Sequence, residues 1–176
     1  MKLLKNTRFA AGVLAVVLLT SLYVGTNRSL TKLSRDVEKT FYDSGKADAT
    51  DTIDAQLGAC ADAVMGVITV ASRYSELESA TEQLRVARMQ LISATTIVEK
   101  EIAFLEMNST YEALSMQIEP ITGDDLKNWN AYSDTYSSVK TMLLRLTAEY
   151  YDRVYSFPEN LLNIKPQRFG IDKAFT

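Results

Sequence analysis

Apolar residues recur along this chain at steps of three and four, which is the spacing of one face of an α-helix. The first stretch is different, because it is apolar all round. From Phe9 to Gly25 seventeen residues carry no charge, and Lys2, Lys5 and Arg8 precede them. A membrane-spanning helix needs roughly 17 to 25 such residues, so residues 9–25 are read as a single transmembrane anchor in contact with membrane lipid. A secretory signal peptide is the rival reading. It requires a small-x-small cleavage site, and neither Leu22-Tyr23-Val24 nor Tyr23-Val24-Gly25 fits one well. Basic residues flank the segment on both sides, with Arg28, Lys32, Arg35 and Lys39 following it, so the positive-inside rule leaves the orientation open.

Beyond the anchor, Leu30, Leu33, Val37 and Phe41 mark an amphipathic continuation that Gly45 stops. Residues 46–52 are polar, and Thr50 or Asp51 is the expected cap of the next helix. Ile53, Leu57, Cys60, Val64, Val67, Ala71 and Tyr74 line its apolar face. Gly58 and Gly66 inside it each weaken the helix by about 1 kcal/mol relative to Ala unless packing requires a bare backbone. The stripe then runs through Leu77, Ala80, Leu84, Ala87, Leu91, Ala94, Val98, Ile102 and Leu105 as a near-heptad seam. Ser75 and Glu78 have capping-box spacing, yet the phase held by Tyr74, Leu77 and Leu84 favours one long helix over two across residues 51–118. Asn108 and Ser109 form a weak point, and Pro120 with Gly123 forms the clear break. Asp124 and Asp125 suit the positive end of the last helix. That helix carries Leu126, Trp129, Tyr132, Tyr136, Val139, Leu143, Leu146 and Tyr150 on one seam.

The predicted fold is therefore all-α. An N-terminal transmembrane helix is followed by an antiparallel bundle of three to four long helices, with a C-terminal tail packed on it. The division is 1–27 for the basic residues and anchor, and 28–176 for the bundle. With only seven Gly and three Pro in 176 residues, the low breaker content agrees. Net charge is −3 with both signs interspersed, so nucleic acid meets no basic stripe. The lone Cys60 has no internal disulfide partner and reads as a small core residue.

Chemistry is constrained by what is missing. The sequence has no His, which removes Ser-His-Asp and Cys-His catalysis and the Glu-x-x-His ligand pairs of di-iron bundles. Its glycines are scattered singly, so no phosphate loop or dinucleotide fingerprint occurs. Glu76/Glu78 and Glu99/Glu101 stand at i, i+2, which points each pair to different helix faces, and they read as solvated charge. No catalytic, metal or cofactor-binding residue is expected, and the chain is read as a non-enzyme.

The segment from Glu149 to Leu162 carries a resemblance. Tyr150, the aliphatic Val154, and Phe157, Pro158 and Asn160 match the Tyr-Asn, aliphatic and Phe-Pro-x-Asn pattern that closes the last helix of the LemA family. Phe169-Gly170 and Phe175 look like that family's closing aromatics. Tyr151 stands where the family has Asn, and residues 51–57 lack its Arg-Arg-x-Asp-Leu-Ile-Pro-Asn-Leu block, so the resemblance is to a divergent member. Pro158 has a physical role of its own, because it ends the helix near Phe157 and sends the apolar tail back along the bundle. The resemblance implies a membrane-anchored helical bundle whose molecular role is poorly defined. The expected function is a scaffold or interaction module in the cell envelope, with an unknown protein partner or self-association. The alternatives are a ligand-binding or sensory helical domain and an exported soluble bundle.

Overall fold

The computed structural model of the chain describes residues 7–43 and 52–171, and every regular element among these is helical. Helix α1 spans Thr7–Tyr42, α2 Ile53–Ala71, α3 Glu78–Ser93, α4 Ile97–Ser115 and α5 Gly123–Tyr155, with a 3-10 turn at Ser75–Leu77 before α3. The expected stop at Gly45, the caps at Thr50 and Asp51, and the closing aromatic Phe175 lie outside the described residues. Thr52 takes the capping role instead, its hydroxyl accepting from the Ala55 amide at 3.1 Å.

The first apolar stretch does continue outward as one helix. At 1.5 Å per residue α1 is about 54 Å long. Side chains from Ala11 to Ser29 are all exposed, and Ser34 and Phe41 near the C-terminal end are buried. The inward positions are 30, 34, 37 and 41, so Ser34 occupies the face expected for Leu33, which is exposed. At about 100° per residue, Ser34 lies about 40° around the helix from Leu30 and Leu33 about 60° on the other side.

Helix α2 is the centre of the assembly. All the expected positions from Ile53 to Ala71 are buried, and Ala61, Ala63, Ile68 and Val70 are buried as well. It packs along α5 and against α3, α3 packs along α4, and α1 adds contacts to α2 and α5. Its composition alone would let it cross a membrane, but half of that stretch is buried in the bundle. On α5, Trp129, Tyr136, Leu143 and Tyr150 are buried as expected, with Thr147 among them. Gly123 opens this helix at φ 63°, a conformation that favours glycine, and Asp124 and Asp125 fill its first turn.

The two interior glycines of α2 differ. A Cβ on Gly66 would lie 2.3 Å from the Tyr132 ring, whereas one on Gly58 meets nothing within 4 Å. Gly66→Ala is therefore expected to destabilise by about 1–2 kcal/mol, overpacking outweighing the better helix propensity. Gly58→Ala is expected to stabilise by about 0.5–1 kcal/mol. Urea unfolding of the two variants checks this, and equal signs would contradict the packing of Tyr132 on bare backbone.

The single long helix expected across 51–118 is not formed, since the chain breaks twice without Gly or Pro. After α2, the Ser72 hydroxyl donates to the Ile68 carbonyl at 2.6 Å, Tyr74 turns extended, and the 3-10 turn buries Leu77. Ser75 lies inside that turn, so the box that its spacing with Glu78 would allow does not assemble, and α3 starts without a side-chain cap. The second break falls at Ala94 and Thr96, both extended. Thr96 and Glu99 build the capping box there: the Thr96 hydroxyl accepts from the Glu99 amide at 3.2 Å, and the Glu99 carboxylate accepts from the Thr96 amide at 3.0 Å. This break resets the helix rotation. Val98 and Ile102, expected on the seam, are 48% and 64% exposed, while Ile97, Phe104, Met107, Tyr111 and Leu114 are buried. Asn108 and Ser109 do not interrupt α4.

Candidate functional site

The C-terminal motif assembles at the end of the bundle where α1 enters. Tyr150 is buried with its ring edge-on to Phe41 at 5.8 Å, and its hydroxyl donates to the Gln167 carbonyl at 2.7 Å. Phe169 is buried and meets Phe41 at 5.0 Å in the same edge-on manner. The tail is thus clasped between α1 and α5, and the Gln167 amide donates to Glu38 Oε1 at 2.9 Å. Val154 packs partly buried on the core, and α5 ends at Tyr155, before Pro158. Phe157 is half-buried and its amide donates to the Val154 carbonyl at 3.3 Å. Asn160 holds the following turn, its Nδ2 donating to the Ile164 carbonyl at 2.9 Å and its Oδ1 accepting from the Ile164 amide at 3.2 Å. Burial pushes the Tyr150 hydroxyl pKa well above the usual phenol value, with Glu38 and Tyr42 adding to the rise. Tyr150 and Phe169 are thus brought together on Phe41, whereas Phe157 and Asn160 make only local backbone hydrogen bonds, and the partners Phe41, Glu38 and Gln167 were not evident from the motif.

A second cluster was missed altogether. Buried Asn108 on α4 accepts through Oδ1 from the Tyr136 hydroxyl at 2.9 Å and from Lys140 Nζ at 2.8 Å, both on α5. Its Nδ2 donates to Glu112 Oε1 at 2.8 Å, and Lys140 lies 3.4 Å from the same carboxylate. Tyr111 lies over Tyr136 with ring centroids 4.4 Å apart. Burial raises the Tyr136 hydroxyl pKa, and the neighbouring Cys60, Tyr111 and Glu112 raise it further. Cys60 is fully buried, and that burial pushes its thiol up to about 12, with Lys140 pulling partly the other way. A buried thiol held protonated at neutral pH is a poor nucleophile. The cluster ties α4 to α5 through one amide, and its phenol and thiol do not ionise near neutral pH.

Among the described residues no group of three or more Cys, Asp or Glu is placed to hold a metal ion. Two open grooves run over the outer side of α3 and α4. One of about 560 Å³ includes Glu82, Val86, Gln90 and Glu106, and one of about 600 Å³ includes Thr95, Glu99, Ile102 and Ala103. Met89 and Ile92 are also exposed on α3.

Glu99, read from sequence as solvated charge, is exposed and is also the third-position member of the capping box that Thr96 opens on α4. Backbone hydrogen bonds from Thr95 and Thr96 hold its carboxyl down at about 2. Because the folded-state value lies below the unfolded one, the stabilisation is fully present above the ordinary carboxylate range and is lost as pH falls through about 2. Thermal melts should accordingly show Glu99→Gln less stable than the parent at neutral pH, with the gap closing in acid. A gap independent of pH would contradict the ionised cap.

No family model, curated protein or solved structure matches this chain.

Proposed function

We propose that this protein is a single-pass, membrane-anchored scaffold of LemA type, an antiparallel bundle without enzymatic activity that presents helix faces to a partner or to another copy in the cell envelope. The observation that carries this reading is α1, one uninterrupted helix with a bare apolar half and a second half seated in the bundle. A helix of that kind transmits position from lipid to bundle without a hinge. Contacts of Arg73 and Tyr74 with Asp125, and of Gly66 with Tyr132, support the antiparallel order of α2 and α5. The convergence of Tyr150 and Phe169 on Phe41 gives the family-like C-terminal pattern a structural purpose, which supports the resemblance.

Scaffold is favoured over ligand binding because the bundle axis is filled by Leu57, Phe104, Met107, Leu114 and Leu143, all buried, and the grooves lie outside it. The exposed apolar side chains Val86, Met89, Ile92, Val98 and Ile102 on α3 and α4 are the face offered for contact. A photoreactive residue at position 89 tests this in native membranes. A discrete adduct that disappears on Ile102→Glu is expected. Labelling no stronger than from the exposed position 149 on α5 would overturn the reading.

A further inference from the structure

The two grooves on the outer side of α3 and α4 are one continuous feature, because Gln90 and Glu106 line both. Together they follow α3 from Glu78 to Ser93, about 22 Å at 1.5 Å per residue. Their lining sets the buried Ala87 and Ala103 beside Val86 and Ile102, which stand 50% and 64% exposed. Short side chains flanked by taller ones make a seat for the ridge of a third helix, whose axis packs about 8–10 Å from its neighbours.

Charge is segregated across this hairpin. The cations on α3 and α4 are Arg85, Arg88 and Lys100, and all three are engaged toward α2. Arg88 Nε donates to the Ala61 carbonyl at 2.7 Å, and Lys100 pairs with Asp54 at 2.7 Å. Arg85 reaches the Ser72 hydroxyl at 3.4 Å and also pairs with Glu82. The charged side chains along the groove are the opposite set, Glu78, Glu82, Glu99 and Glu106, with no Lys or Arg among the described lining residues. Arg85 offsets Glu82 and the α4 cap engages Glu99, whereas Glu78 and Glu106 form no ion pair among the described residues. An apolar seat with acidic sides selects its occupant. A second copy placed face to face would set carboxylate against carboxylate, and the phosphates of lipid or nucleic acid would be repelled likewise.

We propose that the α3–α4 groove receives a basic amphipathic helix of a partner protein, about 15 residues long to match the groove. Its apolar stripe lies on Val86, Ala87, Ile102 and Ala103, and its Lys or Arg side chains meet Glu78 and Glu106. The proposal rests on the reading of this same side of α3 and α4 as the contact face of the scaffold, and it names the chemistry of the partner.

The test uses the full chain in uncharged detergent and two fluorescent amphipathic peptides of that length, which share a Leu-rich face and carry either Lys or Glu on the other. Exposed ion pairs are each worth about two- to fivefold in affinity, so fluorescence anisotropy should show the Lys peptide bound about tenfold more tightly. Glu78→Gln with Glu106→Gln should reduce that preference several-fold, and Glu78→Lys with Glu106→Lys should turn it toward the Glu peptide. Asp134→Lys with Glu149→Lys, the same charge change at exposed positions of α5, should leave the preference intact. A preference abolished as fully by the α5 pair as by the groove pair would reduce the effect to net charge and overturn the proposal. Equal binding of the two peptides, lost on Ile102→Glu, would overturn the basic partner and leave the contact face standing. Binding of neither peptide would overturn the proposal as well: the scaffold reading then survives if the position-89 adduct still forms in native membranes, and falls with it if that adduct is absent.

Discussion

Phe41→Ala lowers stability by about 3–5 kcal/mol, the usual cost of emptying a fully buried aromatic site. Its ring joins α1 to α5 and to the tail, edge-on to Tyr150 and Phe169 and close to Tyr42 at 4.9 Å. Aromatic pairs of this geometry add about 0.5–1.5 kcal/mol each beyond the area they bury, so the loss falls at the upper part of that range. For a chain of this size the melting temperature should drop by about 10 °C. The tail should also become the first site of proteolysis, because Gln167 and Phe169 lose the surface that orders them. Leu33→Ala, at an exposed position of the same helix, should change stability by less than about 0.5 kcal/mol. Thermal melts in detergent with limited proteolysis measure both effects, and a tail that stays protected in Phe41→Ala would contradict the clasp.

Asn108→Ala is expected to cost about 2–4 kcal/mol, more than the loss of one ordinary hydrogen bond. The reason is that the deletion strips the acceptor from two donors at once, the Tyr136 hydroxyl and the Lys140 ammonium. Restoring the balance should be possible without restoring the amide. Tyr136→Phe and Lys140→Met added to Asn108→Ala remove the two donors that Asn108 accepted from and should recover most of the lost stability, since apolar replacement of a buried polar group is often neutral or better. Urea titration of the single and triple variants decides the matter. A triple variant as unstable as the single would show that packing volume, not polar satisfaction, explains the loss.

The seams of α2 and α5 were legible in the sequence, because Ile53 to Ala71 and Trp129 to Tyr150 keep a helical period; the first is buried at every expected position, the second at Trp129, Tyr136, Leu143 and Tyr150, while Tyr132 is exposed against Gly66. The breaks between the seams were not legible. Ser75-x-x-Glu78 and Thr96-x-x-Glu99 have the same form, yet only the second caps a helix. The difference is tertiary, since the first pair lies in the turn that carries Leu77 into the core. Paired Thr95 and Thr96, poor helix formers that favour extended backbone, were the local sign of the true break. Missing it carried the heptad through Val98 and Ile102 and hid the stripe that runs Ile97, Phe104, Asn108, Tyr111. On that stripe Asn108 is spaced like a core residue, which was the available signal for the polar cluster. For the C-terminal motif the residues were readable but their partner was not, because no local pattern ties Phe169 to Phe41.

The direct measurement of an anchored bundle is the mass and partition of the protein recovered from its native membranes after alkaline carbonate washing. A chain that retains residues 9–25 and sediments with the membranes is the result predicted. A species shortened past that segment and released into the supernatant would contradict it.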